Sequence, residues 1–121
     1  MITRKENQVA EKSMAFAVRI VRLCRYLTEE KCENVMSKQV LRSGTSIGAN
    51  IREANSAQSK ADFISKMAIA LKECDETAYW LELLVRTEYL SEEEHRSIDA
   101  DCRELFAMLT AILRSARKAD S

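Results

Sequence analysis

The sequence predicts an all-α fold, an up-and-down antiparallel four-helix bundle that occupies residues 1–121 as a single domain. Three observations predict it. There is no proline and only two glycines, so the turn punctuation of a many-stranded β fold is missing. Apolar residues recur three and four apart through four long segments, the spacing of helices that each bury one face. The connections between the segments are short, which sets successive helices antiparallel. With 46% apolar and 31% charged residues the chain has a globular makeup, and its length suffices to bury a core without staples.

The first helix is expected over about residues 3–30. Its stripe is Val9 or Ala10, Ser13, Phe16 or Ala17, Ile20, Cys24 and Leu27, and Arg19, Arg22 and Arg25 lie off it. The charged run at 29–33 ends it, and Asn34 is the expected N-cap of the next helix. The second helix is expected over about 35–56, on the stripe Val40, Gly44, Ile47, Ile51 and Ala54. One residue back runs a second stripe in the same rhythm: Gln39, Ser43, Ser46, Asn50, Glu53 and Ala57. An ordinary solvated face would carry longer side chains. Ser43, Gly44, Thr45, Ser46 and Gly48 also disfavour a helix, so tertiary packing must hold this one.

The third helix opens at Ser59 with Asp62 as a capping pair and is expected to run to about Tyr89. Its main stripe is Phe63, Met67, Ala70, Cys74, Thr77, Leu81 and Leu84. A neighbouring stripe adds Ile64, Ala68, Leu71, Ala78 and Val85, with Ile69, Trp80 and Leu83 outside both. That is more apolar surface than one core needs, so part of it is expected to meet another subunit or to be deeply buried. The fourth helix opens with the capping box of Ser91 and Glu94, after a short break at Tyr89 and Leu90. Its stripe is Ile98, Cys102, Leu105, Leu109, Ile112 and Ala116, and Arg114, Arg117 and Lys118 complement the dipole at its end.

Catalytic patterns are weak. Glu92 and His95 form one E-x-x-H pair, whereas a di-iron bundle needs two such pairs and two further glutamates. His95 is the only histidine, and the four cysteines contain no C-x-x-C pair, so no metal or other cofactor is expected and the cysteines read as reduced thiols. Glu73, Asp75, Glu76 and Glu82 read as a solvated or salt-bridged face. No apolar run is long enough to span a membrane, and the polar first ten residues do not read as a secretory signal, so a cytoplasmic location is expected. The chain is not expected to be an enzyme.

Charge is unevenly spread. Residues 1–60 hold eleven Lys or Arg against six Asp or Glu, and residues 61–121 hold eight against thirteen. Arg19, Arg22, Arg25, Arg42 and Arg52 could form a phosphate-binding surface on the first two helices, or pair with the acidic second half in cis or across subunits. A net charge of zero counts against a strong nucleic-acid binder.

The segment 41–54 resembles the bacterial four-helix-bundle proteins associated with intervening sequences of large-subunit ribosomal RNA genes. Their signature, similar to R-S-x-x-S-I-x-x-N-I-x-E-[GA], falls on Arg42, Ser43, Ser46, Ile47, Asn50, Ile51, Glu53 and Ala54. The likeness continues through 59–64, 68–73, Glu76 and Thr77, and 80–84, and covers nearly the whole chain from about Ala15. The proline that many members carry in the first connection is absent.

The resemblance implies a homopentameric bundle. A related bundle, the accessory protein of diversity-generating retroelements, is a basic pentamer that associates with nucleic acid and a reverse transcriptase. Two readings follow: a non-catalytic homo-oligomer assembled head to tail, and an accessory protein that binds RNA or DNA. Scaffolding of another protein through the third helix is a variant of the first. In either, Arg42, Ser43, Ser46, Asn50 and Glu53 are expected to form a polar network or line a subunit contact.

Overall fold

The computed structural model describes residues 3–118. They form four helices, α1 (Arg4–Glu29), α2 (Met36–Asn55), α3 (Lys60–Arg86) and α4 (Glu92–Lys118). Each packs on the next, and α4 closes back on α1 through the thinnest of the four seams, while the seam between α2 and α3 is the most extensive. Diagonal helices stay apart, so the section is a four-cornered bundle with its core in the middle. The α1–α2 and α3–α4 turns share one end of it.

The core follows the expected stripes. Phe16, Ile20 and Leu27 of α1, Ile47 and Ile51 of α2, Met67, Leu81 and Leu84 of α3, and Leu105 and Leu109 of α4 are all buried. Phe63 and Ala116, at the stripe ends, are half-buried. Burying a side chain of this size stabilises by about 1.5–3 kcal/mol, which is what holds an intrinsically poor helix such as α2 in place. Gly44 lies at the α1–α2 crossing, where a Cβ would stand 2.8 Å from Ile20 Cγ1. The missing side chain is what lets the two helices approach.

The helix ends depart from expectation in two places. Asn34 does not cap α2. The buried Glu33 does so instead, its carboxylate accepting the N–H of Val35 (3.0 Å), Met36 (2.8 Å) and Ser37 (2.9 Å). A carboxylate reaches three orphan donors and answers the positive end of the dipole, which a neutral amide cannot match. Secondly, α3 stops at Arg86, short of Tyr89. Glu88 takes a left-handed conformation (φ 69°), and the Tyr89 N–H folds back to Leu84 O at 2.9 Å. The other ends keep to their signals. Ser91 and Glu94 form the reciprocal box at 2.9 and 3.1 Å, and Ser59 Oγ accepts the Asp62 N–H at 3.0 Å. Thr3 and Glu6 make a further box that opens α1.

Candidate functional site

The α2–α3 seam is where most of the polar residues singled out in the sequence meet. Ser43 is buried, and its hydroxyl lies 2.9 Å from that of Thr77, which in turn donates to Glu73 O at 2.7 Å. Ser46 and Asn50, half-buried one and two turns further on, satisfy each other within α2: Asn50 Nδ2 donates to Ser46 O at 2.9 Å. Glu53 is exposed rather than buried and pairs with Lys66 Nζ at 3.3 Å. It follows Asn50 by three residues on a helix that is about to end at Asn55, where the seam opens to solvent.

Outside the hydroxyl pair, Arg42 bridges to two glutamates of α3. Its guanidinium lies 3.2 Å from Glu73 Oε2 and also binds Glu76, whose Oε2 accepts the Trp80 indole N–H at 3.1 Å. That hydrogen bond from Trp80, with Arg42 beside it, holds the Glu76 carboxyl below its usual range. The Arg42 guanidinium is shifted up, chiefly by Glu76. The seam therefore ties Arg42, Ser43, Glu73, Glu76, Thr77 and Trp80 into one cluster. The sequence pointed to the α2 half and put Glu73 and Glu76 on a solvated or salt-bridged face, of which the second is found. It missed Thr77 and Trp80 as partners, although both stand one helical turn from those glutamates.

The five arginines named as one basic surface are divided among three sides of the bundle. Arg42 belongs to the α2–α3 side. Arg19 turns to α4, bonding Asp101 Oδ2 at 2.7 Å and Ser97 Oγ at 3.0 Å, and Arg22 lines the same α1–α4 groove with Glu93 and Glu94. Arg25 and Arg52 face out between α1 and α2, Arg25 beside Lys38 and Leu41 at the turn end. Thus the acidic second half neutralises the basic first half in cis at Arg19, at Arg42 and at Lys12, which meets Glu104. Among the described residues, Arg22, Arg25 and Arg52 have no ion-pair partner.

No group of three His, Cys, Asp or Glu side chains among the described residues is placed to hold a metal ion. His95 sits in the first turns of α4 with an enclosed Nε2 that has no hydrogen-bond partner among the described residues. Cys74 and Cys102 approach across α3 and α4 with sulfurs 3.7 Å apart, in hydrogen-bond contact and not joined by a disulfide. Contact with Cys74 and burial push the Cys102 thiol far up, and burial with Glu33 nearby lifts Cys24 to about 11. Protonated, buried thiols of this kind are poor nucleophiles. No described helix is long and apolar enough to cross a membrane.

The family model described as 23S rRNA-intervening sequence protein matches residues 5–111. Among solved structures, the chain is similar to a protein with unknown function from the S23 ribosomal protein family of Bacteroides thetaiotaomicron, known from a 1.70 Å crystal structure. The two share 60% identity with a TM-score of 0.90, over 91% of this chain and 98% of that one. No curated protein matches the sequence.

Proposed function

Because the chain belongs to the 23S rRNA-intervening sequence protein family, we propose that it is a non-catalytic homo-oligomeric bundle, a pentamer as its resemblance implies, that works as an assembly or interaction module in the cytoplasm. The observation that carries this reading is apolar surface left outside a complete core. Met14 is 53% exposed and Leu41 37%, both in grooves between α1 and α2, and Val18, 41% exposed, follows Met14 by one helical turn. A contiguous apolar patch on a small domain marks a surface that another macromolecule covers. The polar side chains, by contrast, are occupied in fastening helix to helix, which is why no catalytic role is assigned to the α2–α3 cluster.

The test is the native mass of protein purified gently without nuclease, with absorbance at 260 and 280 nm recorded together. A protein-only mass of several chains is the expected result. A monomer across a range of concentrations and salt would sink the reading.

A second reading has one observation in its favour: Arg25 and Arg52 are exposed and unpaired on that same side. In it the oligomer is an accessory protein for RNA or DNA, in distant kinship with the retroelement accessory bundle, and repeats a weak phosphate site around a ring. Its mark is nucleic acid that travels with the protein at low salt and is shed steeply as salt rises. Binding that ignores salt excludes it.

A further inference from the structure

We propose that the outer α1–α2 face receives the outer α3–α4 face of a second copy, the two bundles lying side by side and parallel. This rests on the assembly reading above and assigns its two surfaces.

The receiving face is a pair of matched stripes. Met14, Val18 and Val21 follow one another along α1 in steps of four and three. Leu41, Thr45 and Gly48 do the same along α2. All but Val18, which lies between Met14 and Val21 in the α1 stripe, line two open grooves on one side of the molecule, the larger of about 860 Å³ with Ala17, Gly48 and Ala49 in its floor. Small residues in the floor and apolar ones along the rims suit an incoming helix.

The docking face is the second stripe of α3. Ala68, Leu71, Asp75, Ala78, Glu82 and Val85 alternate steps of three and four, and the apolar members are only half-buried by α4. Leu71 lines a groove with Thr110 and Leu113. Phe106, 40% exposed, lies one turn before Thr110 on the same side of α4. Ala68, Leu71, Ala78 and Val85 pack against the rim of the core and keep part of their surface outside it, and Phe106 adds an exposed ring.

Charge complementarity supports the pairing and the direction. Near the turn end, the α1–α2 face carries Arg25 and Lys38, while Glu88 and Glu92 stand at the α3–α4 turn, next to a Glu82 that Arg86 pairs. Near the other end Glu11 lies on the first face, with Glu53 already held by Lys66, and Arg114 and Arg117 line the second. Parallel neighbours therefore bring opposite charges together at both ends. Pairing two α1–α2 faces in parallel would set like charges against each other, which disfavours it. A contact between two different faces repeats around a rotation axis and closes into a ring.

Two variants separate the faces. Val18→Glu places a negative charge in the receiving face and Phe106→Glu one in the docking face, so that the two damaged faces repel each other, both at exposed positions where the helices tolerate them. Native mass spectrometry and sedimentation are read beside circular dichroism, which reports that each variant keeps its helices. Each variant alone is expected to fall to the monomer. Mixed in equal amounts they are expected to form one heterodimer that grows no further, because one intact receiving face then meets one intact docking face. Tyr79→Lys, on the outward side of α3, is expected to leave the wild-type mass unchanged.

A wild-type oligomer that persists in both variants overturns this assignment and leaves the assembly reading standing, as does a mixture that stays monomeric. A wild-type monomer overturns both. So does a monomer that carries salt-sensitive nucleic acid, and that outcome gives the α1–α2 face to phosphates.

Discussion

Glu33 shows how much one side chain can decide. Its carboxylate satisfies three backbone donors at the start of α2 and accepts no help from the neighbouring Asn34. The variant Glu33→Ala is expected to lower stability by about 1–2 kcal/mol, read as a lower urea midpoint with an unchanged slope. An unmoved midpoint would mean that water caps the helix equally well. The thiols make a second test at this scale. Cys24, Cys74 and Cys102 are buried and Cys32 is exposed, so one thiol per folded chain is expected to react with a neutral-pH thiol reagent and four after denaturation. Because Cys24 is lifted from 9.0 to about 11 in the fold, the unfolded chain ionises first. Its contribution to stability is full below 9.0 and is lost as pH rises towards 11. Denaturation midpoints measured across that window are expected to fall, and less so in Cys24→Ser.

Among the elements, α2 depends most on its neighbours. Its two glycines serve the crossing with α1 rather than any turn, Gly44 against Ile20 and Gly48 against Ser13. Adding a methyl at Gly44 helps helix propensity by about 1 kcal/mol, but overpacking against a fully buried Ile20 costs about 1–3 kcal/mol. Gly44→Ala is therefore expected to destabilise. The double variant with Ile20→Ala should lose less than the two single losses together, because the new methyl enters the space vacated. Strict additivity would show that the crossing has slack. The helices themselves were legible because their stripes run three and four apart without interruption. The arginine surface was legible only as separate positions. A helical wheel places Arg19, Arg22 and Arg25 off the core, but which of two neighbouring helices each meets is settled by the packing. In the same way Ser43 was marked as small and polar in a place that calls for close approach. Its partner Thr77 belongs to the core stripe of α3 and gave no separate sign. The early end of α3 was hidden because a left-handed turn made by a glutamate lacks the glycine that announces one.

At the scale of the whole bundle the four seams are unequal. The α2–α3 seam combines the longest packing with the Ser43–Thr77 hydroxyl pair and the Arg42–Glu73 bridge, whereas α1 and α4 meet along a thin seam held at the surface by Arg19 and Lys12. Exposed pairs of that kind add little. Opening is therefore expected to begin between α1 and α4. In native-state hydrogen exchange, amides in the middle of α2 and α3 should be the slowest and report global unfolding, with those of α4 and the start of α1 exchanging sooner. Uniform protection across all four helices would contradict this ranking. Assembly would alter the pattern by covering the α1–α2 and α3–α4 sides, leaving the α1–α4 groove as the weakest line of the ring.

Cys32 joins two properties that were met separately: it holds a left-handed backbone (φ 53°) and an exposed thiol in the α1–α2 turn. Air oxidation during storage would couple two chains through it, and such a covalent dimer would imitate a genuine subunit contact in any mass measurement. Cys32→Gly removes the artefact and at the same time relieves the turn, since glycine adopts that conformation without the roughly 1 kcal/mol penalty borne by a side chain. The expected product is a sample with a slightly higher melting temperature, whose mass is identical with and without reductant. It is the background on which variants of the two proposed faces are best made.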